Sequence, residues 1–163
     1  MNYQVIYEEI NKLNKNKYKY NIYETILRLI DIDINLCDRN LIKERTHIFK
    51  IKLANDLITH KIYKKFNFNL KKQKNFIYNY LTSQPTNSKI NYNIIKYISI
   101  YLNLNILIIK NNLYNFINDY NENINTLIII NKMDSLFNGY NYKNKIIFNN
   151  KEIIELLKLY KKN

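Results

Sequence analysis

Two four-residue apolar runs, Ile106-Leu107-Ile108-Ile109 and Leu127-Ile128-Ile129-Ile130, constrain the fold of this chain more than any other feature. Each is too short for an ordinary helix and is rich in branched aliphatics, the pattern of a buried strand. A helix striped with Ile94, Ile95, Ile98 and Leu102 leads into the first run through a turn at Asn103-Leu104-Asn105. A polar excursion separates the two runs. Helix and strands together supply a sheet-centred core over residues 90 to 131, and earlier helices must cover it.

The rest of the chain supplies those helices. Residues 3 to 14 place Ile6, Ile10 and Leu13 on one helical face, with Tyr3 and Val5 beside them. Residues 14 to 20 have no period and read as a linker. Asn21 caps a helix carrying Tyr23, Ile26, Leu27 and Ile30, and Asp31-Ile32-Asp33-Ile34-Asn35 breaks the period and reads as a loop. A long helix starts after Asp38. Its stripe is Ile42, Phe49, Leu53 and Leu57, widened by Ile48 and Ile58, with Lys43, Lys50, Lys52 and Lys61 largely off it.

A helix from about Lys71 to Leu81 presents Ile77 and Leu81, with Leu70 leading in, and ends at the turn cluster 83 to 88. After the second strand, Met133 to Asn144 is polar, contains Gly139 and reads as a turn. Ile146-Ile147-Phe148 is a short strand, and Asn149 or Asn150 caps a last helix carrying Ile153, Leu156, Leu157 and Tyr160. The expected class is α+β, a helical N-terminal half packed on a small sheet in the C-terminal half. One domain spans 1–163, with helix and linker over 1–20 and the α+β core over 21–163.

The net charge of +13 and pI near 9.6 would ordinarily point to phosphate-rich partners. Codon chemistry explains much of it. Gly, Pro, Ala and Trp, which need G or C, are nearly absent, whereas Lys, Asn, Ile, Tyr and Phe can be written with A and T alone. Both acidic residues need a G and Lys needs none, so an AT-rich genome raises the charge without selection for binding. The 26 basic residues include only three arginines, Arg28, Arg39 and Arg45, and Arg is the side chain suited to forked phosphate recognition. Cys37 is the only cysteine, which excludes an internal disulfide and implies a reducing compartment. There is no signal-like N-terminal core and no apolar run long enough to span a bilayer, so the sequence reads as soluble and intracellular.

Candidate motifs for chemistry fail on their own terms. Asn131-Lys132-Met133-Asp134 has the form of a guanine-reading element, but one glycine cannot build the phosphate loop that must accompany it. Asp31 to Asn35 starts like a calcium loop, yet Leu36 and Ile42 stand where Gly and Glu belong. His47, His60 and Cys37 lack ligand spacing, and Cys37 with His47 makes a poor nucleophile and base. A carboxylate site built from Asp119, Glu122 and Asp134 has no defined pair geometry. No metal, cofactor or small-molecule ligand is implied. The best basic-aromatic cluster is Lys15, Lys17, Tyr18, Lys19, Tyr20 and Tyr23, which would carry the alternative reading of a nucleic-acid-binding accessory protein.

From Asn21 onward, over about 120 residues, the layout resembles the OTU-like branch of papain-like cysteine peptidases, in the diverged forms carried by large DNA viruses. Asn21-Ile22-Tyr23 opens the helix that in that family bears the nucleophile. Ile42 to Ile58 matches its long basic helix, Ile94 to Ile109 its helix-into-strand unit, and Leu127 to Ile130 its next strand. Ile22 stands where the Cys would be and Lys19-Tyr20 replace an Asp-Gly pair. No His follows His60, so the base is missing around Tyr140 and Tyr142. The resemblance implies an inactive peptidase-like shell. The expected function is a non-enzymatic structural or interaction protein with protein partners in a larger assembly, such as a minor virion component of an AT-rich virus.

Overall fold

The computed structural model describes residues 3–13, 20–59, 68–86, 88–89, 91–110, 113–133, 136–140, 142 and 145–162. The class is α+β, with helices through the N-terminal half and a small mixed sheet in the C-terminal half. The helices are α1 (Tyr3–Leu13), α2 (Ile22–Ile30), α3 (Arg39–Thr59), α4 (Phe68–Lys72), α5 (Lys74–Ser83), α6 (Tyr92–Leu102) and α7 (Asn150–Lys162). The strands are β1 (Asn105–Lys110), β2 (Leu113–Phe116), β3 (Thr126–Met133), β4 (Leu136–Gly139) and β5 (Ile147–Phe148).

The two apolar runs are β1 and β3, and they pair in parallel at the sheet centre, Ile106 opposite Leu127 and Ile109 opposite Ile130. Side chains alternate across a strand, so a fully apolar strand needs cover on both faces. Ile106, Ile108, Leu127 and Ile129 join the core formed by α2, α3, α5 and α6. Leu107, Ile109, Ile128 and Ile130 face α1 and α7, packing with Ile6, Ile10, Ile153 and Leu156. The N-terminal helix is therefore half of the second cover.

Parallel neighbours need the chain carried back between them, and here β2 does that in place of a helix. It pairs antiparallel with β1 along the sheet edge, and the following loop crosses to the start of β3. Asn105 fastens that crossing. Its buried carboxamide donates to the Asn121 carbonyl (2.8 Å) and the Ile124 carbonyl (3.0 Å) and accepts from the Asn121 amide (3.1 Å).

Short polar side chains set the helix ends. Asn21 accepts from the Glu24 amide (2.9 Å) and Asp38 from the amides of Asn40 and Leu41 (2.8 and 3.1 Å), as the sequence indicated. Asn149 and Glu152 exchange bonds reciprocally at the start of α7. Asn103 closes α6 at φ 54°, a left-handed residue in a position usually taken by glycine.

Five expectations are corrected. Residues 32 to 36 form a 3-10 helix whose Ile34 is wholly buried. The excursion after β1 and the stretch read as a turn around Gly139 each contain a strand, β2 and β4. Ile48 and Ile58, placed on the buried stripe of α3, are 57% and 47% exposed. Lys50, placed off that stripe, is buried: its ammonium donates to the Gln84 carbonyl and lies 5.9 Å from the centre of the Tyr23 ring.

Gly139, the only glycine in the chain, ends β4 against α2. A Cβ there would lie 2.6 to 2.8 Å from the branch atoms of buried Leu29. Gly139→Ala is expected to cost about 1–3 kcal/mol by overpacking. The cost should shrink in a Leu29→Ala background, measured by urea denaturation as a double-mutant cycle. Equal costs in both backgrounds would show that the contact does not matter.

Candidate functional site

Helix α3 carries apolar residues on two faces. At about 100° per residue, Ile48 projects about 140° away from Leu53, so the two cannot share one buried stripe. Leu53 is fully buried, whereas Ile48 is 57% and Leu41, seven residues earlier, 37% exposed. The seven-residue spacing of Leu41 and Ile48 is a sequence signal for this second face, which a stripe widened to take in Ile48 hides.

Ile48 borders an open groove of 490 Å3 between α2, α3 and the end of α6. Leu27, Ile30, Phe49, Tyr101 and Leu102 complete its apolar wall. Leu27 and Phe49 belong to the core beneath, so the floor is fixed by packing, while Ile30 is 37% exposed at the lip.

Charges at the rim are unevenly satisfied. Arg45 pairs with Asp31 at 3.4 Å. The Tyr101 hydroxyl donates to Asp56 at 2.7 Å; burial first, then that hydrogen bond and the Asp56 charge, push its pKa up to about 12. Both carboxylates are thus engaged, while the exposed Lys52 ammonium has no partner among the described residues. An apolar groove edged by one uncompensated cation suits an apolar segment carrying a carboxylate.

The sequence-derived nucleic-acid cluster is only partly placed. Lys15, Lys17, Tyr18 and Lys19 lie outside the described residues. Tyr20 bridges to Phe137 of β4 (3.1 and 2.9 Å), and the Arg28 guanidinium sits 4.3 Å over its ring. Arg28 is itself held by Glu24 (2.9 Å) and Asn35 (2.9 Å). Tyr23 is corrected: it is 1% exposed, and a ring enclosed in the core cannot stack on a base. Burial, followed by the nearby Tyr80, raises the pKa of its hydroxyl.

The positions matched to the peptidase pair fall in different cores. Ile22 packs with α2, α3 and α6, whereas Tyr140 and Tyr142 pack on the face covered by α1 and α7. The Cys37 thiol donates to the Asp33 carbonyl at 3.5 Å, His47 is exposed on α3, and His60 lies outside the described residues. Among the described residues no three His, Cys, Asp or Glu side chains come together to hold a metal, and no helix is long and apolar enough to cross a membrane. Asn131 of the guanine-reading tetrapeptide is buried within β3, and Asp134 lies outside the described residues. Comparison with protein-family models, with curated proteins and with solved structures finds no match to the chain.

Proposed function

We propose that this chain is a non-enzymatic interaction protein that takes an apolar, acid-flanked helical segment of a protein partner in the groove between α2, α3 and α6. The observation that carries the reading is Ile48: a large aliphatic, 57% exposed, on the lip of a groove whose floor belongs to the core. The reading keeps the inactive peptidase-like shell as its scaffold, and a place in a larger assembly such as a virion as its setting. Neither the thiol hydrogen bond of Cys37 nor the separation of Ile22 from Tyr140 and Tyr142 favours peptide cleavage.

The test uses a labelled amphipathic helical peptide with leucines at helical spacing and glutamates at its ends, read by fluorescence anisotropy. Binding is expected with a Kd on the order of tens of micromolar. Ile48→Glu should weaken it about tenfold or more with little change in melting temperature, because the side chain is exposed. A lysine-flanked version should bind more weakly, and Lys52→Glu should reverse that order. No binding of the acid-flanked peptide, or binding indifferent to Ile48→Glu, would reject the groove. Cleavage of ubiquitin chains abolished by Cys37→Ala would reject the non-enzymatic reading altogether.

The alternative of nucleic-acid binding loses Tyr23, which is enclosed, and Tyr20, which is covered by Arg28; it keeps the basic charge and Lys15, Lys17, Tyr18 and Lys19, which lie outside the described residues. Retention on nucleic acid that falls steeply with salt would favour it.

A further inference from the structure

Among the described residues one charged side chain is buried. Lys50 of α3 is 3% exposed, no carboxylate pairs with its ammonium among those residues, and burial is the only cause of its lowered pKa. Its one hydrogen bond there goes to the Gln84 carbonyl at the end of α5. An ammonium carries three donors, so two remain without an acceptor. The Tyr23 ring centre, 5.9 Å away, is at the outer reach of a cation–π contact and does little for the charge.

The same ring carries a second orphan. The Tyr23 hydroxyl is buried and has no hydrogen-bond partner among the described residues. Nearby Tyr80 does not serve it, since the Tyr80 hydroxyl donates to the Lys89 carbonyl. A surface ammonium and phenol would be satisfied by solvent, but these two are enclosed, and burying them without acceptors is costly. The ammonium sits over the ring and the hydroxyl is on its rim, so one small acceptor can span the two.

The chemistry of the pair selects an anion over a water. A water accepting from both groups would still have to place its own two protons, and buried waters typically make about three hydrogen bonds. The carbonyls of Gln84 and Lys89 already accept from Lys50 and Tyr80. An anion accepts from both groups, has no proton to place and neutralises the buried charge. The net charge of +13 raises the local concentration of anions around the chain. One cation and one hydroxyl suit a single negative charge, whereas a phosphate calls for more donors.

We infer that the interior between α2, α3 and the end of α5 binds one monovalent, halide-sized anion, held by the Lys50 ammonium and the Tyr23 hydroxyl. Chloride there ties α2 to α3 where Lys50 already holds the end of α5. The site shares no residue with the groove beside Ile48, so either can fail alone.

The experiment compares thermal melts in sodium chloride with melts in sodium gluconate at equal ionic strength, gluconate being too large to enter. With a Kd on the order of 10 mM, saturating chloride should raise the melting temperature by about 5 °C. Tyr23→Phe removes a single oxygen that has no protein partner, and Lys50→Met removes the charge; each should abolish the chloride increment. A crystal grown in bromide should show an anomalous peak between Lys50 Nζ and Tyr23 Oη. Equal melting in the two salts, an increment that survives Tyr23→Phe, or a water without anomalous signal at that position would overturn the inference.

Discussion

Above about pH 10 the protein is expected to lose stability at about 4 kcal/mol per pH unit, through three tyrosines that the fold keeps protonated. Tyr23, Tyr97 and Tyr140 are essentially buried, and all three have raised pKa values with burial as the largest cause. Tyr97 donates to the Leu53 carbonyl at 2.5 Å and Tyr140 to Glu9 at 2.9 Å. Neighbouring Asp56 and Glu9 further oppose a phenolate. In the unfolded chain these phenols ionise near pH 10.

Below that pH both states hold the same phenolic protons and the tyrosines add no slope. Above it the unfolded state sheds protons that the native state retains, so stability falls by about 1.4 kcal/mol per pH unit for each tyrosine. A domain of ordinary stability, about 5–15 kcal/mol, would unfold within a few pH units. Lys50 acts with the opposite sign at lower pH. Burial lowers its folded pKa, so the unfolded state binds the extra proton between that value and about 10.4, and stability rises with pH across that window. Urea melts from about pH 8 to 12 should therefore show a modest rise and then a steep fall. Tyrosinate absorbance that follows a free-phenol curve while the circular dichroism stays native would contradict this account of the core.

Asn105→Leu is expected to destabilise the protein by about 3–5 kcal/mol, although leucine is the more apolar residue at a buried strand position. The substitution strands the Asn121 amide and the Ile124 carbonyl, which Asn105 holds at 3.1 and 3.0 Å, and leaves the Asn121 carbonyl only its 3.3 Å bond from the Ile124 amide. A stranded, partly buried polar group costs about 1–3 kcal/mol. For a chain of this size the melting temperature should fall by about 10 °C. Asn105→Asp should do as badly, because it removes both donors and buries a charge. The β2 to β3 loop should lose amide-exchange protection first. An Asn105→Leu variant as stable as the parent would mean that the crossing between the parallel strands is held by something else.

These effects show what could be read from residues alone. The strands β1 and β3 were legible because each carries four consecutive apolar residues, a run that double-sided burial explains. The caps Asn21, Asp38 and Asn149 were legible because the chemistry of a helix N-terminus is local. Strand β2 was not: Leu113 is 75% exposed, and as an edge strand it has no apolar alternation to announce it. Strand β4 was hidden by Gly139, which reads as a turn but is there to make room for Leu29. The groove was obscured by its own composition. In a chain so rich in isoleucine, Ile48 looks like core until helical geometry separates it from Leu53. The role of Asn105 depends on which loop returns to which strand end, information that no local pattern carries.

The central claim is that the groove beside Ile48 is a binding surface on a scaffold without turnover. Methyl resonances of a selectively labelled sample, titrated with the acid-flanked helical peptide, test it most directly. Saturable shifts are expected at Ile30, Ile48 and Leu102, with the β3 methyls Ile128 and Ile130 unmoved on the far side of the sheet. Shifts absent from those three groove residues, or centred on any other surface, would contradict it.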